Sequence, residues 1–498
     1  MLSRDRIWMN RIATLLVLVS LSVTSVAEPW APVGDRQLRH ELQLLSDARI
    51  IELSTMTWPM SWGQIDYALR AVDTDRLLRL PSLVPVYERM VARAARETRY
   101  GIWQGGGRLS LSEKPDSLRG FRELPRENLE TVLYGEKTGR NAAAKLQLTM
   151  VDNAADDRSA RLDGSYVGVA LGNWLYSVDA MERWWGPGWD GSLILSNNAR
   201  PVPALSVQRN ISKPFDWWAL NWLGPWHLQF MAGQLDSDRF IDSPYLLGWR
   251  FTSKPLQSLE LGVTRTAQWG GEGRPQDLDS FFDLLIGRGN TGDDNITVEN
   301  EPGNQLAGFD LRWSQPIGQQ TLAAYSQWIG EDEAGGFPSR YLGMGGVEYA
   351  GVWQQNQYRL HFEFADTACE FNKGEPRFDC AYNNFIYKTG YRYRDRAIGH
   401  TADNDAQVAT IGALLINAKN HQWDLLLRRA RLNRVGDDTR NTVAEQPQTW
   451  HSVDIVHARP LIGDWTVEIG VGYEDRESET KSATGDDWRG YINLRAGL

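Results

Sequence analysis

Two stretches of this sequence interleave flat rings with Arg, Asp and Asn closely enough to do recognition chemistry. The first is Glu182-Arg183-Trp184-Trp185-Gly186-Pro187-Gly188-Trp189-Asp190. The second runs from Tyr382, Asn383 and Asn384 through Tyr387 to Tyr391-Arg392-Tyr393-Arg394-Asp395-Arg396 and His400. A sugar offers an apolar C–H face to a ring and hydroxyls to planar polar groups. Arg adds charge-assisted hydrogen bonds where the sugar is acidic. The second cluster therefore supplies the candidate contacts: Tyr382, Asn383, Tyr387, Tyr391, Arg392, Tyr393, Arg394 and His400. The first reads more simply as an interfacial aromatic belt followed by a tight turn.

Catalytic motifs fail on their context. Gly287-Arg-Gly289-Asn-Thr-Gly292 matches a dinucleotide fingerprint by letters, but it neither follows a parallel strand nor opens a helix. His40-Glu41 lacks the second His of a metalloprotease helix. No Gly-x-Ser-x-Gly elbow occurs. The acidic pairs Asp293-Asp294, Asp437-Asp438 and Asp486-Asp487 have oxygens of the kind calcium takes, yet they read first as solvated loop residues. Cys369 and Cys380 share one polar segment, and in an exported chain they are expected to form a loop-closing disulfide. Two thiols without nearby His do not complete a metal shell. The expectation is a protein with no catalytic residue, no metal and no cofactor.

Composition narrows the class further. The chain has 498 residues, a net charge of −10, 22 Trp and 17 Tyr. The acidic balance argues against nucleic acid, and the negative mean hydropathy argues against a helical membrane protein. Arg4, Arg6 and Arg11 precede the apolar run Ile12 to Val23, and Ser25-Val26-Ala27 forms a small-residue cleavage site. Residues 1–27 thus read as a signal peptide. No later run is long and apolar enough for a transmembrane helix.

The elements that must carry the clusters divide into a helical front and a strand-rich body. Three helices are predicted between 35 and 99. Asp35 would cap the first, with Leu38, Leu42 and Leu45 on one face. The second begins near Ser61 and carries Ile65 and Leu69. The third begins near Ser82, with Val84, Tyr87, Val91 and Ala94/Ala95 on one face and Arg89, Arg93 and Arg96 on the other. That basic face is either solvated or set against an acidic barrel mouth.

Beyond Gly101 the period changes to two. Leu146, Leu148 and Met150 alternate with Lys145, Gln147 and Thr149. Leu360, Phe362 and Phe364 alternate with Arg359, His361 and Glu363. Trp488 to Leu498 alternates to the last residue. Repeated strands of about ten residues in an exported chain predict an all-β transmembrane barrel of about 18 antiparallel strands. Its charged residues must face the lumen, because an Arg or Lys toward lipid costs roughly 2–4 kcal/mol at mid-membrane. Short turns are read at 315–319, 350–353, 418–420 and 459–463, and long links at 114–140, 269–303, 331–339, 368–405, 435–447 and 478–485. Alternation of short and long links holds only if 368–405 is one outer excursion. Tyr382 to Arg394 is then a loop or small hairpin over the mouth. The polar lumen is water-filled or plugged, and the helical front is the candidate plug. The domains expected are a signal peptide over 1–27, a periplasmic helical bundle over 28–100 and an outer-membrane barrel over 101–498.

Several strings resemble the Wzi family of capsule-assembly proteins. They include Trp30-Ala-Pro-Val-Gly-Asp35, Thr57-Trp58-Pro59-Met60-Ser-Trp62-Gly63, Trp184-Trp185-Gly186-Pro187-Gly188, Ser196-Asn197-Asn198-Ala199-Arg200-Pro201, Gly303 to Asp310 and Tyr391-Arg392-Tyr393-Arg394. The resemblance implies an 18-stranded outer-membrane barrel with a periplasmic helical bundle, and a non-enzymatic, lectin-like role in attaching capsular or exopolysaccharide to the cell surface. Implied partners are that polysaccharide, outer-membrane lipids and other capsule export components, with no nucleic acid. A diffusion porin or oligosaccharide channel is the alternative.

Overall fold

The computed structural model describes residues 30–281, 303–334, 337–435, 440–478 and 485–497. The signal peptide, the Gly287–Gly292 string and the pairs Asp293-Asp294 and Asp437-Asp438 lie outside these residues.

Eighteen antiparallel strands close a barrel. In chain order they are β1 (Trp103–Ser112), β2 (Leu129–Thr138), β3 (Ala142–Asp152), β4 (Ala160–Arg161 continued by Tyr166–Leu171), β5 (Trp174–Asp179) and β6 (Ala204–Arg209). Then come β7 (Trp226–Gln234), β8 (Tyr245–Leu256), β9 (Leu259–Trp269), β10 (Gly303–Ile317), β11 (Gln320–Ala334) and β12 (Phe337–Trp353). The last six are β13 (Asn356–Asp366), β14 (Gln407–Ile416), β15 (Gln422–Leu432), β16 (Gln448–Pro460), β17 (Trp465–Ser478) and β18 (Gly485–Gly497). Each pairs with its sequence neighbour, and β18 closes on β1 with Asn493 opposite Ser110. Closure leaves no unpaired edge, so every strand amide can be satisfied inside hydrocarbon.

Alternation sets the two faces as the sequence predicts. Arg359, His361 and Glu363 are buried in the lumen, while Leu360, Phe362 and Phe364 are exposed on the outside. On β3 Leu146, Leu148 and Met150 face outward.

All links at one end of the barrel are short except one, and this is called the turn end. The exception, 210–225, carries a one-turn helix, Trp218–Asn221, with Trp217, Trp218 and Trp222 exposed. Two sequence boundaries shift. Residues 350–353 are still strand, and the turn is Gln354–Gln355, both with positive φ (48° and 70°). No Gly or Asn marks it, so the usual signal was missing. The link expected at 114–140 contains all of β2. Residues 367–406 form one excursion at the opposite, loop end, and within it Arg392–Tyr393 pairs with Arg396–Ala397 as a small hairpin. Cys369 and Cys380 are disulfide-bonded there, with Cα atoms 5.9 Å apart.

The helical front inserts into the turn end. It comprises α1 (Arg36–Asp47), α2 (Trp62–Arg70), α3 (Thr74–Arg79) and α4 (Val84–Glu97). Asp35 caps α1 by accepting from the Leu38 amide at 2.9 Å, and Ser61 caps α2 by accepting from the Gln64 amide at 3.1 Å. Asp73 caps the unpredicted α3 in the same way. On α4 the buried residues are Val86, Met90 and Ala94, so the apolar face is rotated from the predicted one and Val91 is exposed. The basic residues of α4 find partners inside the bundle rather than at the barrel mouth: Arg89 with Glu41, Arg93 with Asp35 and Arg96 with Glu97.

Helix α1 is buried almost all round although two thirds of it is polar. Several of its polar side chains are paired with the lumen wall. Arg36 pairs with Asp424 at 3.0 Å, and Asp47 takes Arg312 in a two-bond fork at 2.7 Å each. Glu41 accepts from Gln357, and His40 Nδ1 accepts from Arg359 at 3.1 Å. Buried charges of this kind are tolerated only when paired.

Candidate functional site

The loop end is filled by chain that turns inward. The segment after β5 drops into the barrel, and its Trp184 and Trp185 pair with Trp58 and Thr57 of the helical front. Trp189 and Asp190 donate their amides to Glu363 on β13 at 2.8 and 3.1 Å. The Asp190 carboxylate binds the Arg428 guanidinium at 2.6 Å and accepts from Thr410 at 2.6 Å. Burial would raise the Asp190 carboxyl, but Arg428 outweighs it and holds the group well below the usual carboxylate range. Arg428 continues to Asp454 at 3.0 Å, and Asp454 to Arg489 at 2.7 Å. Gly191 permits the descent: a Cβ there would lie 2.5 Å from the His400 ring. Trp184, Trp185 and Trp189 are therefore central packing residues, not a membrane-interface belt.

The two fillings meet mid-barrel. Arg39 of α1 donates to Pro187 O at 2.7 Å, and its guanidinium lies 4.4 Å from the Phe121 ring and 4.5 Å from the Trp189 ring. Phe121, from the inward loop after β1, packs edge-on against Trp58 and Trp184. Helices and loops together plug the lumen.

The predicted contact residues are brought together, but mostly facing inward. Tyr382 Oη donates to Leu193 O at 2.7 Å and accepts from the His400 amide at 3.0 Å. Tyr391 Oη donates to Ile194 O at 2.9 Å, and its ring stacks on Tyr382 at 6.0 Å. Tyr387 Oη donates to Gly270 O at 3.0 Å. Arg392 grips Asp403 with two bonds of 2.8 Å and donates to Asn383 Oδ1 at 2.8 Å. Tyr382, Asn383, Tyr387, Tyr391, Arg392, Tyr393 and His400 are all buried. Burial pushes the His400 imidazole down to about 4. Arg394 alone of the eight remains half-buried, held out by the hairpin turn at Arg394–Asp395, where both φ values are positive (48° and 59°). The other seven fix the loop: the Tyr382, Tyr387 and Tyr391 hydroxyls bond backbone carbonyls, and Arg392 bonds the Asp403 and Asn383 side chains.

The ring and cation chemistry that solvent can reach lies beside them. Phe385 and Phe240 are 57% and 62% exposed, and Lys388 Nζ sits 4.5 Å over the Phe240 ring. The Phe240 amide donates to Thr389 Oγ1 at 2.9 Å, which ties the loop after β7 to the 367–406 excursion. Phe240, Phe385 and Lys388 were missed by the sequence reading. Phe385 and Lys388 stand inside the aromatic cluster, but an irregular loop has no period to show which rings point out. Among the described residues no group of His, Cys, Asp and Glu is arranged to hold a metal ion. Of the acidic pair Asp486-Asp487, Asp487 is paired with Lys114.

A closed 18-strand barrel with an apolar outer face, a charged lumen and a double internal plug defines an outer-membrane β-barrel protein of the occluded kind. The chain belongs to the capsule assembly protein Wzi family, whose model matches residues 124–487. An uncharacterized 55.8 kDa protein in the cps region of Klebsiella pneumoniae is 33% identical over 434 residues, covering 85% of this chain and 82% of that protein. Escherichia coli Wzi, an outer membrane protein involved in group 1 capsule assembly and a carbohydrate-binding β-barrel, superposes with a TM-score of 0.80 at 26% identity, over 95% of this chain and 99% of that one.

Proposed function

We propose that the protein binds capsular or exopolysaccharide at its loop-end rim and thereby attaches it to the cell surface. In this reading residues 1–27 are removed on export, the bundle within 28–100 faces the periplasm and the barrel within 101–498 presents its long loops outward. The observation that carries the reading is the exposed rim of Phe240, Phe385 and Lys388, with Arg394 half-buried beside it, on a barrel whose lumen is plugged. Rings stack on sugar C–H faces and the cations meet acidic substituents. The seven buried residues Tyr382, Asn383, Tyr387, Tyr391, Arg392, Tyr393 and His400 act as positioning residues for that rim. Binding needs no covalent step. Weak contacts repeated along a polymer, and across many barrels, add through effective concentration. Capsule export components are further partners in this reading.

The test is capsule retention in a deletion strain complemented with Phe240→Ala/Phe385→Ala/Lys388→Ala. The triple variant is expected to insert normally while releasing several-fold more polysaccharide into the medium. Retention equal to wild type would remove the rim from the function.

A further inference from the structure

The plug does not fill the barrel evenly. Along the wall formed by β18, β1, β2 and β3 a cavity of about 370 Å3 remains between the strands and the 30–33 segment of the helical front. That is within the roughly 300–1,000 Å3 range of small-molecule sites. Its inward side chains near the turn end, Tyr134, Lys145 and Arg495, are all partly exposed, and Gly497 beside them is exposed. Solvent therefore reaches it from that end. At the other end paired side chains stand across it. Arg126 binds Glu182 at 3.0 Å and the Asn197 carbonyl at 2.7 Å, and Arg200 binds Asp163 at 2.7 Å. The cavity is a recess along the lumen wall, with partly exposed side chains at both ends.

Its charges are unequal in one respect. Arg108 is paired with Glu130 and Glu123, Arg495 with Glu123, Arg126 with Glu182 and Arg161 with Glu127. Lys145 makes no direct ion pair among the described residues, although Glu136 stands opposite it on β2 and Glu123 lines the same cavity. Its Nζ lies 4.7 Å over the Tyr134 ring and is otherwise open to the cavity. Trp30, 8% exposed, also lines the space, packs edge-on to Tyr166 at 4.9 Å, and its indole N–H finds no acceptor among the described residues. The Gln147 amide and Thr149 hydroxyl complete the lining. One ammonium outside any direct ion pair, three rings and several neutral donors lining a recess match an anionic group carried on a polyhydroxylated ring.

We propose that this recess binds a carboxylate-bearing saccharide, with Lys145 as the counter-charge and Trp30 and Tyr134 as the walls that receive the sugar ring. It rests on the polysaccharide reading above and specifies an acidic sugar at a second site, away from the rim.

Calorimetric titration of the purified full chain in detergent tests it, using a glucuronate-containing disaccharide and the same disaccharide with its carboxyl reduced to the alcohol. The acidic probe is expected to bind at least ten-fold tighter. Lys145→Gln should bring the acid down to the level of the reduced sugar, while Lys145→Arg should keep most of the preference. Equal affinity for the two probes, no binding of either, or an undiminished preference in Lys145→Gln overturns the proposal. So does acetate that binds as tightly as the acidic disaccharide, since no sugar would then be recognised. Should Lys145→Gln fail to fold, Tyr134→Leu, which removes the ring wall, serves as the second variant, with a several-fold loss expected and an unchanged affinity overturning the site. Capsule retention is scored in parallel. Retention that depends on the rim with no disaccharide binding discards this site alone, whereas loss of both discards the polysaccharide reading as well.

Discussion

At the scale of single residues, the chemistry that suits a sugar face and the chemistry that fixes a buried loop are the same. Tyr382, Tyr391 and Arg392 were read as sugar contacts because rings and guanidinium groups suit sugars. The same groups suit a buried loop, where each hydroxyl or N–H must find a backbone carbonyl or carboxylate. His400 shows the consequence in a measurable form. Its ring is buried against the descending Gly191, and burial lowers it from the usual 6.5 to about 4. Between those values the unfolded loop binds a proton that the folded loop refuses, so stability is complete above about pH 6.5 and falls as pH drops toward 4. The full effect is on the order of 3 kcal/mol. Hydrogen exchange over 391–404 should accelerate at pH 4.5 relative to pH 7, after correction for intrinsic rates, and the acceleration should shrink in His400→Gln. His40 is also held low, by burial and by Arg359, but it sits in the bundle, so the comparison isolates the loop. An equal response in His400→Gln would assign the acid sensitivity elsewhere.

At the scale of elements, what was legible was whatever repeats. Period two placed β3, β13 and β18 correctly, because a residue facing lipid and one facing a charged lumen cannot exchange roles without a cost of kilocalories. Caps placed α1 and α2 through Asp35 and Ser61. Short turns without glycine were not legible, and Gln354–Gln355 is the instance. Both residues occupy the left-handed region, which costs an L side chain roughly 1–2 kcal/mol. The β12–β13 hairpin nevertheless keeps register through Trp353 opposite Asn356. Strand pairing across eleven residue positions overrides the local preference. Replacing the turn by Gln354→Asn with Gln355→Gly should therefore stabilise the barrel by about 1 kcal/mol, after allowance for glycine's freedom in the unfolded chain. The urea midpoint of unfolding in lipid vesicles measures this. A lower midpoint in the variant would show that the glutamines make contacts worth more than the strain they carry.

At the scale of the whole molecule, the strand count followed from the repeated strands and parity made 368–405 one excursion, since a closed antiparallel barrel returns each link to the opposite end. The closure of the lumen did not follow. It depends on contacts between segments more than a hundred residues apart, such as Arg39 with Pro187 and Asp190 with Arg428, which leave no mark on local pattern. The two stoppers are held by separate anchors. The helical one is tied to the wall by Arg36–Asp424 and Asp47–Arg312, the loop one by Asp190–Arg428 and by Glu363 under Trp189 and Asp190. Removing one partner of a buried pair costs about 3–5 kcal/mol, enough to loosen one stopper while the other stays in place. Planar-bilayer recordings should therefore show wild type nearly silent, Arg36→Ala/Asp47→Ala nearly silent, and Asp190→Ala nearly silent, with steady conductance only when all three changes are combined. A wild-type protein that conducts like an open pore would return the channel reading to first place. Steady conductance from the helix-anchor variant alone would instead show that the loop segment does not seal the barrel without α1 beneath it.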